Sequence, residues 1–174
     1  MKLGVIGCGK MGSALLKGAI SAGAVDPEEV CVHDAFADCA QKLADDTGVR
    51  TAGSNGAVIE NAEAVLLCTK PQDMLDMIRL LPQLGREHLI ISIAAGLHLA
   101  DLEEALGEEV RVIRVMPNTP ALVGRGASAF ARGTCATEAD AEFVASLLGA
   151  VGMVAEVPEK LMDSVTGLSG SGPA

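Results

Sequence analysis

Six residues near the start of the chain, Gly7-Cys8-Gly9-Lys10-Met11-Gly12, have the spacing of a turn that grips a diphosphate. They follow the apolar run Leu3–Ile6, which reads as a buried strand. They open an apolar periodicity (Met11, Ala14, Leu15, Ala19, Ala22) that predicts a helix over Met11–Ala22. G-x-G-x-x-G between a strand and a helix is the dinucleotide-binding fingerprint. Gly7 permits the tight turn, Gly9 lets the backbone approach the ligand, and Gly12 lets the helix pack close on the strands. The N–H groups at the helix start, aided by the helix dipole, then face the anion. Asp34 lies 22 positions after Gly12, at the end of a second strand over Val30–His33. A carboxylate there accepts from the hydroxyls of an adenosine ribose. It also opposes a 2′-phosphate, since two unit charges at about 4 Å and an effective dielectric of about 20 repel by about 4 kcal/mol. NADH is therefore expected to be favoured over NADPH. The competing reading of Asp34 is a cap for a helix beginning near Ala37.

Ligands of open α/β sheets bind beyond the carboxyl ends of the strands. Three further segments fall there: Cys68-Thr69-Lys70-Pro71, Ile93-Ala94-Ala95-Gly96 and Met116-Pro117-Asn118-Thr119-Pro120. The small residues of the second allow a planar ring to lie against the backbone. The prolines of the third stiffen a loop that carries Asn118 and Thr119, which suits a site where positioning supplies much of the rate. His33, His88 and His98 read as surface or packing residues. No nucleophilic triad is visible, and Glu103-Glu104 and Glu108-Glu109 read as solvated helix faces.

These segments need a scaffold. Besides the elements already named, the pattern predicts strands at Val49–Ala52, Ala64–Cys68, Leu89–Ile93, Val110–Val115, Ala127–Ala131 and Met153–Val157. Helices are predicted at Ala37–Thr47, from Pro71 to about Leu84, at Leu99–Leu106 and at Glu138–Leu148, with a helical turn at Asn55–Ile59. Such alternation builds an α/β fold: a Rossmann-like doubly wound, mostly parallel sheet with helices on both faces. Ser171-Gly172-Pro173-Ala174 reads as a further helix start, which suggests a truncated chain.

Composition narrows the function. At 174 residues, one domain is the default. A net charge of −10 without a basic cluster, and only 2% aromatic residues, argue against nucleic acid as a partner. The longest apolar stretch, Leu89 to Ala100, is shorter than the roughly 20 residues of a membrane span. The five cysteines are scattered and lack ligand spacing, which reads as reduced thiols of a cytoplasmic protein with no metal site.

Five segments together, GVIGCGKMGSALLKG, CTKPQDM, ISIAAGL, VIRVMPNTPALVGRGAS and VTGLSGSGPA, resemble pyrroline-5-carboxylate reductase over nearly the whole chain. The resemblance implies an oxidoreductase of proline biosynthesis, which reduces the cyclic imine 1-pyrroline-5-carboxylate to L-proline by hydride transfer from NADPH or NADH. It implies cofactor contacts at Gly7 to Met11, Asn55, Thr69, Lys70, Pro71, Ala94 and Ala95. The loop with Asn118 and Thr119 would border the nicotinamide and the imine. Members usually prefer NADPH and carry Ser, Thr or Asn near position 34, so Asp34 departs from the pattern. Members also continue into a C-terminal helical dimerisation domain, which binds the substrate carboxylate and makes a homodimer or higher oligomer; the resemblance implies that these 174 residues are the part ahead of that domain. Residues 1–164 would then be the dinucleotide-binding domain and 165–174 the start of the linker helix. A nucleotide-binding module without catalysis, or another oxidoreductase with the same front half such as a hydroxyacid dehydrogenase, stays open at this point.

Overall fold

The computed structural model describes residues 1–171. Eight strands form one sheet: β1 (Leu3–Ile6), β2 (Val30–His33), β3 (Arg50–Thr51), β4 (Ala64–Leu67), β5 (Leu89–Ser92), β6 (Arg111–Met116), β7 (Gly126–Arg132) and β8 (Gly152–Glu156). Their order is β3-β2-β1-β4-β5-β6-β7-β8, and every neighbouring pair is parallel except β6 with β7. The helices are α1 (Lys10–Ser21), α2 (Ala37–Thr47), α3 (Asn55–Glu60), α4 (Pro71–Arg79), α5 (Leu99–Leu106), α6 (Glu138–Gly149) and α7 (Met162–Val165). This is the expected Rossmann-like, doubly wound architecture. The chain crosses from one half of the sheet to the other between β1 and β4, so the strand order reverses there and leaves a crevice at their carboxyl ends.

The core lies on both faces of the sheet because strand side chains alternate. Leu3, Val5, Leu66 and Ile91 pack with Leu15 and Leu16 of α1 and with Val144 and Leu148 of α6. Ile6, Val65, Leu67 and Ile90 point the other way, onto Val58 of α3, Met74 and Ile78 of α4 and Leu102 of α5. Strands covered on both faces read as unbroken apolar runs, which is why β1, β4 and β5 were visible in the sequence.

The structure corrects two expectations. Helix α4 stops at Arg79, not near Leu84, because Pro82 lacks an N–H and disfavours helical geometry at Leu81 before it. The third strand shrinks to Arg50–Thr51, paired with Cys31 and Val32. The segment after β6 forms a tight 3-10 turn over Thr119–Val123 and reverses the chain, so β7 runs antiparallel to β6. After β8 the chain folds back over the sheet. Met162 of α7 is fully buried on the sheet face that α3–α5 also cover, and a π-helical turn over Thr166–Ser171 follows. The helix start expected at Ser171-Gly172-Pro173-Ala174 falls on residues 172–174, outside the described residues.

Candidate coenzyme site

Helix α1 begins directly at the glycine turn. Its N-cap is Gly9, which offers no side chain to satisfy the first amides. Ser13 N–H is the first to find an intrahelical acceptor, Gly9 O at 2.9 Å. Helix geometry therefore leaves the amides ahead of it as free donors, with the positive end of the dipole behind them. The turn is tied into the sheet by Gly7 N–H to His33 O at 2.9 Å and Cys68 N–H to Ile6 O at 2.7 Å.

The glycines have separate roles. Gly7 has φ of +100°, and a Cβ there would meet the Cys68 carbonyl carbon and oxygen at 2.8 Å. A Cβ on Gly12 would collide with Gly7 O and press on Cys68, so Gly12 sets how closely α1 approaches the turn. A Cβ on Gly9 would meet nothing within 4 Å, leaving an open approach to the backbone.

A cavity of about 580 Å³ opens beside this turn, at the carboxyl ends of β1, β2 and β4. That size suits a small organic ligand. The structure brings six of the expected residues to it: Gly7, Gly9, Asp34, Asn55, Thr69 and Lys70. Asp34 Oδ2 accepts Cys8 N–H at 2.6 Å and Oδ1 accepts Phe36 N–H at 2.8 Å, so it braces the glycine turn and bends the chain ahead of α2; it is not the helix cap, because the N-cap of α2 is Phe36 and takes no side-chain hydrogen bond. Each carboxylate oxygen keeps a second lone pair for a ligand hydroxyl. Thr69 Oγ1 donates to Met74 Sδ at 3.3 Å, which anchors the β4–α4 turn.

The remaining expected residues lie elsewhere. Cys8 is buried below the turn, its thiol donating to His33 O at 3.7 Å. Burial, the Asp34 carboxylate and Cys39 push that thiol up to about 12. Lys10 is exposed and Met11 half-buried on the first turn of α1, and Pro71 is exposed as the first residue of α4. Ala94 is buried and Ala95 exposed after β5. Asn118 is buried, and its Oδ1 accepts Ala127 N–H at 2.8 Å, which holds the reversal into β7; Thr119 is exposed. Neither lines the cavity beside Gly7.

Cys68, from the expected segment after β4, lines the cavity too, whereas sequence reasoning missed His33, Phe36, Cys39 and Met77, which also line it. His33 sits at a strand end, a position that could have flagged it. Phe36 is 75% exposed, an aromatic ring left at the cavity rim.

A family model for coenzyme F420-dependent NADP oxidoreductases matches residues 2–96. The chain belongs to this family. The matched region runs from β1 to just past β5, and so contains the whole glycine turn and cavity. The resemblance to pyrroline-5-carboxylate reductase also holds along the chain. A relative of that name from Methanosarcina acetivorans is 44% identical over 174 residues, 99% of this chain and 64% of its own length. The solved pyrroline-5-carboxylate reductase of Coxiella burnetii matches with a TM-score of 0.91 at 30% identity, over 99% of this chain and 64% of that one. The Plasmodium falciparum pyrroline carboxylate reductase, solved with NADP bound, matches with a TM-score of 0.88 at 30% identity, over 99% and 63%. The chain thus spans just under two thirds of the length of these family relatives.

Proposed function

We propose that this chain is the coenzyme-binding part of a pyrroline-5-carboxylate reductase, an oxidoreductase that reduces 1-pyrroline-5-carboxylate to L-proline in proline biosynthesis with NADH or NADPH. The observation that carries the reading is the free N-terminus of α1 opening onto a cavity rimmed by Asp34 and Asn55, in a chain whose relatives bear that name along its whole length.

The residues fit a nicotinamide dinucleotide. The open approach at Gly9 and the unclaimed α1 amides suit a diphosphate, and Asp34 and Asn55 suit an adenosine ribose. When bound, the reduced coenzyme supplies the hydride. The chain's own work is to bind, orient and exclude water. A protonated ring imine is already electron-poor, so no strongly acidic side chain is required. The stiff loop carrying Asn118 and Thr119 is assigned to border the nicotinamide and the imine. Asn118 is held in place by its bond to Ala127, and Thr119 is presented to solvent.

The coenzyme unit is placed at residues 1–164, with 165–174 leading into a helical domain in a polypeptide of the relatives' length. That domain is assigned the substrate carboxylate site and a homodimeric or larger assembly, in the cytoplasm. Among the described residues no helix is long and apolar enough to cross a membrane. The test pairs binding with turnover. The 174-residue chain should bind NADH with little imine reduction, and a polypeptide of the relatives' length should form L-proline. A full-length protein that binds coenzyme but leaves the imine unreduced would overturn the reading.

A further inference from the structure

His33 ends β2 and lines the cavity, where its ring is half-buried. Its Nδ1 lies 2.7 Å from Asn55 Oδ1, an acceptor, so this contact assigns the ring proton to Nδ1. Asn55 is the first residue of α3, and Ser54 fixes that start by accepting Ala57 N–H at 3.1 Å. A side-chain amide has an accepting end and a donating end. With the oxygen taken by the imidazole, both Nδ2 hydrogens of Asn55 are without a protein partner among the described residues. Asn55 lines the same cavity as Asp34, which directly follows His33. With the proton on Nδ1 the ring selects this orientation, since turning the amide over would then set NH2 against N–H, whereas a proton on Nε2 would select the opposite one.

We propose that His33, with its proton on Nδ1, is a positioning residue for coenzyme binding: in that form it locks the Asn55 amide with its donors free, making Asn55 and Asp34 a donor–acceptor pair for the sugar oxygens of the adenosine half. Each hydroxyl of a vicinal diol donates one hydrogen bond and accepts others. A carboxylate beside an outward NH2 complements that pattern, and a carboxylate beside an amide oxygen does not. The inference rests on the coenzyme-binding reading above and adds a residue to it.

The test is NADH titration of the full chain and four variants, read as Kd. H33A should weaken binding about 5–10-fold, the loss of one ordering hydrogen bond. N55A should weaken it by a similar factor, and H33A/N55A should be no weaker than N55A alone. H33N, which places an amide N–H where the ring Nδ1–H stood, should return Kd to within about twofold of wild type. That rescue separates positioning from bulk packing. If H33A fails to fold, H33L, which fills the space without a donor, takes its place. An unchanged Kd in H33A, or losses that multiply in the double variant, would overturn the inference while leaving the coenzyme site intact. A wild-type chain that binds neither NADH nor NADPH would instead overturn the coenzyme reading, and this inference with it.

Discussion

The Asp34 carboxylate accepts the Cys8 amide at 2.6 Å, joining the end of β2 to the glycine turn after β1. One charge therefore shapes the glycine turn and lines the cavity beside it. The family model is of NADP oxidoreductases, and a solved relative holds NADP. A fixed negative charge at this position nonetheless disfavours a 2′-phosphate. Wild type should bind NADH more tightly than NADPH. Asp34→Ser should shift the ratio of the two Kd values toward NADPH by about 10–100-fold, less than the bare Coulomb figure because the rim is solvated and salt screens it. Fluorescence titration with both coenzymes checks this, and tighter NADPH binding by wild type would refute it. The shift should shrink as salt rises.

Gly12 offers a steric test of the same turn. Its missing side chain lets α1 sit against Gly7 O and Cys68, and a methyl group there has no room. Gly12→Ala should push α1 away, destabilise the fold by about 1–3 kcal/mol as overpacking does, and abolish measurable coenzyme binding. Gly9→Ala provides the contrast. Its Cβ meets no protein atom within 4 Å, so stability should hold while coenzyme affinity falls. Denaturant melts and coenzyme titrations of the pair separate the two roles; equal stability in both variants would count against them.

Much of this arrangement was legible in the residues, for reasons that can be named. Val30–His33, Ala37–Thr47 and Leu99–Leu106 end where they were expected to, because apolar periodicity and terminal glycines or turn residues coincide there. The end of α4 was misread because apolar residues continue past Arg79, and Pro82 outweighs them. The antiparallel β7 begins at the Asn118–Ala127 bond, a contact between loop and strand that no local pattern announces. At the cavity, the glycine turn and Asp34 announce themselves by spacing. Asn55 came from family resemblance, and His33 from neither, because its significance lies in a partner 22 residues away.

The cysteines allow an accessibility map. Cys39 is exposed and lines the cavity, and Cys135 is half-buried far along the chain, bonded to Glu108 O. Iodoacetamide should modify Cys39 first, and NADH should slow that reaction while leaving Cys135 unaffected. Cys8, pushed up to about 12 by burial and by Asp34, should stay unmodified at pH 8 until the protein unfolds. The linkage has a definite sign. An unfolded thiol ionises near about 8.5, whereas folded Cys8 holds its proton to about 12. Its contribution to stability is whole below about pH 8.5 and is lost as the pH rises through that window. Burial raises Cys31 and Cys68 in the same direction. The thermal midpoint should fall as pH rises from about 8 to about 10. Cys8→Ser should not reproduce this share of the fall, and a pH-independent midpoint would contradict the assignment.

Arg114 places a different pH dependence at the other end of the domain. It is 2% exposed on β6, and it donates to Glu159 Oε1 at 3.2 Å and Asp163 Oδ1 at 2.8 Å, with His98 Nδ1 at 3.1 Å from the same guanidinium. Glu159 also accepts Leu99 N–H at 2.5 Å, at the start of α5. These bonds clasp the segment after β8 to the sheet, over the buried side chain of Met162. The hydrogen bond from Arg114 holds the Asp163 carboxyl below the usual range, helped by Arg114 and His98 charge. A lowered folded value means the clasp is complete above the unfolded aspartate value of about 3.9 and is lost as pH falls through the folded one. Limited proteolysis should therefore cut near Glu159–Val165 faster at pH 3 than at pH 6. Arg114→Met keeps the stem's packing but removes both ion pairs, so it should show the fast cleavage already at pH 6. NADH affinity should persist in that variant, because no residue of the clasp lines the glycine-turn cavity. Cleavage equal to wild type at pH 6 would show that Met162 burial alone holds the segment.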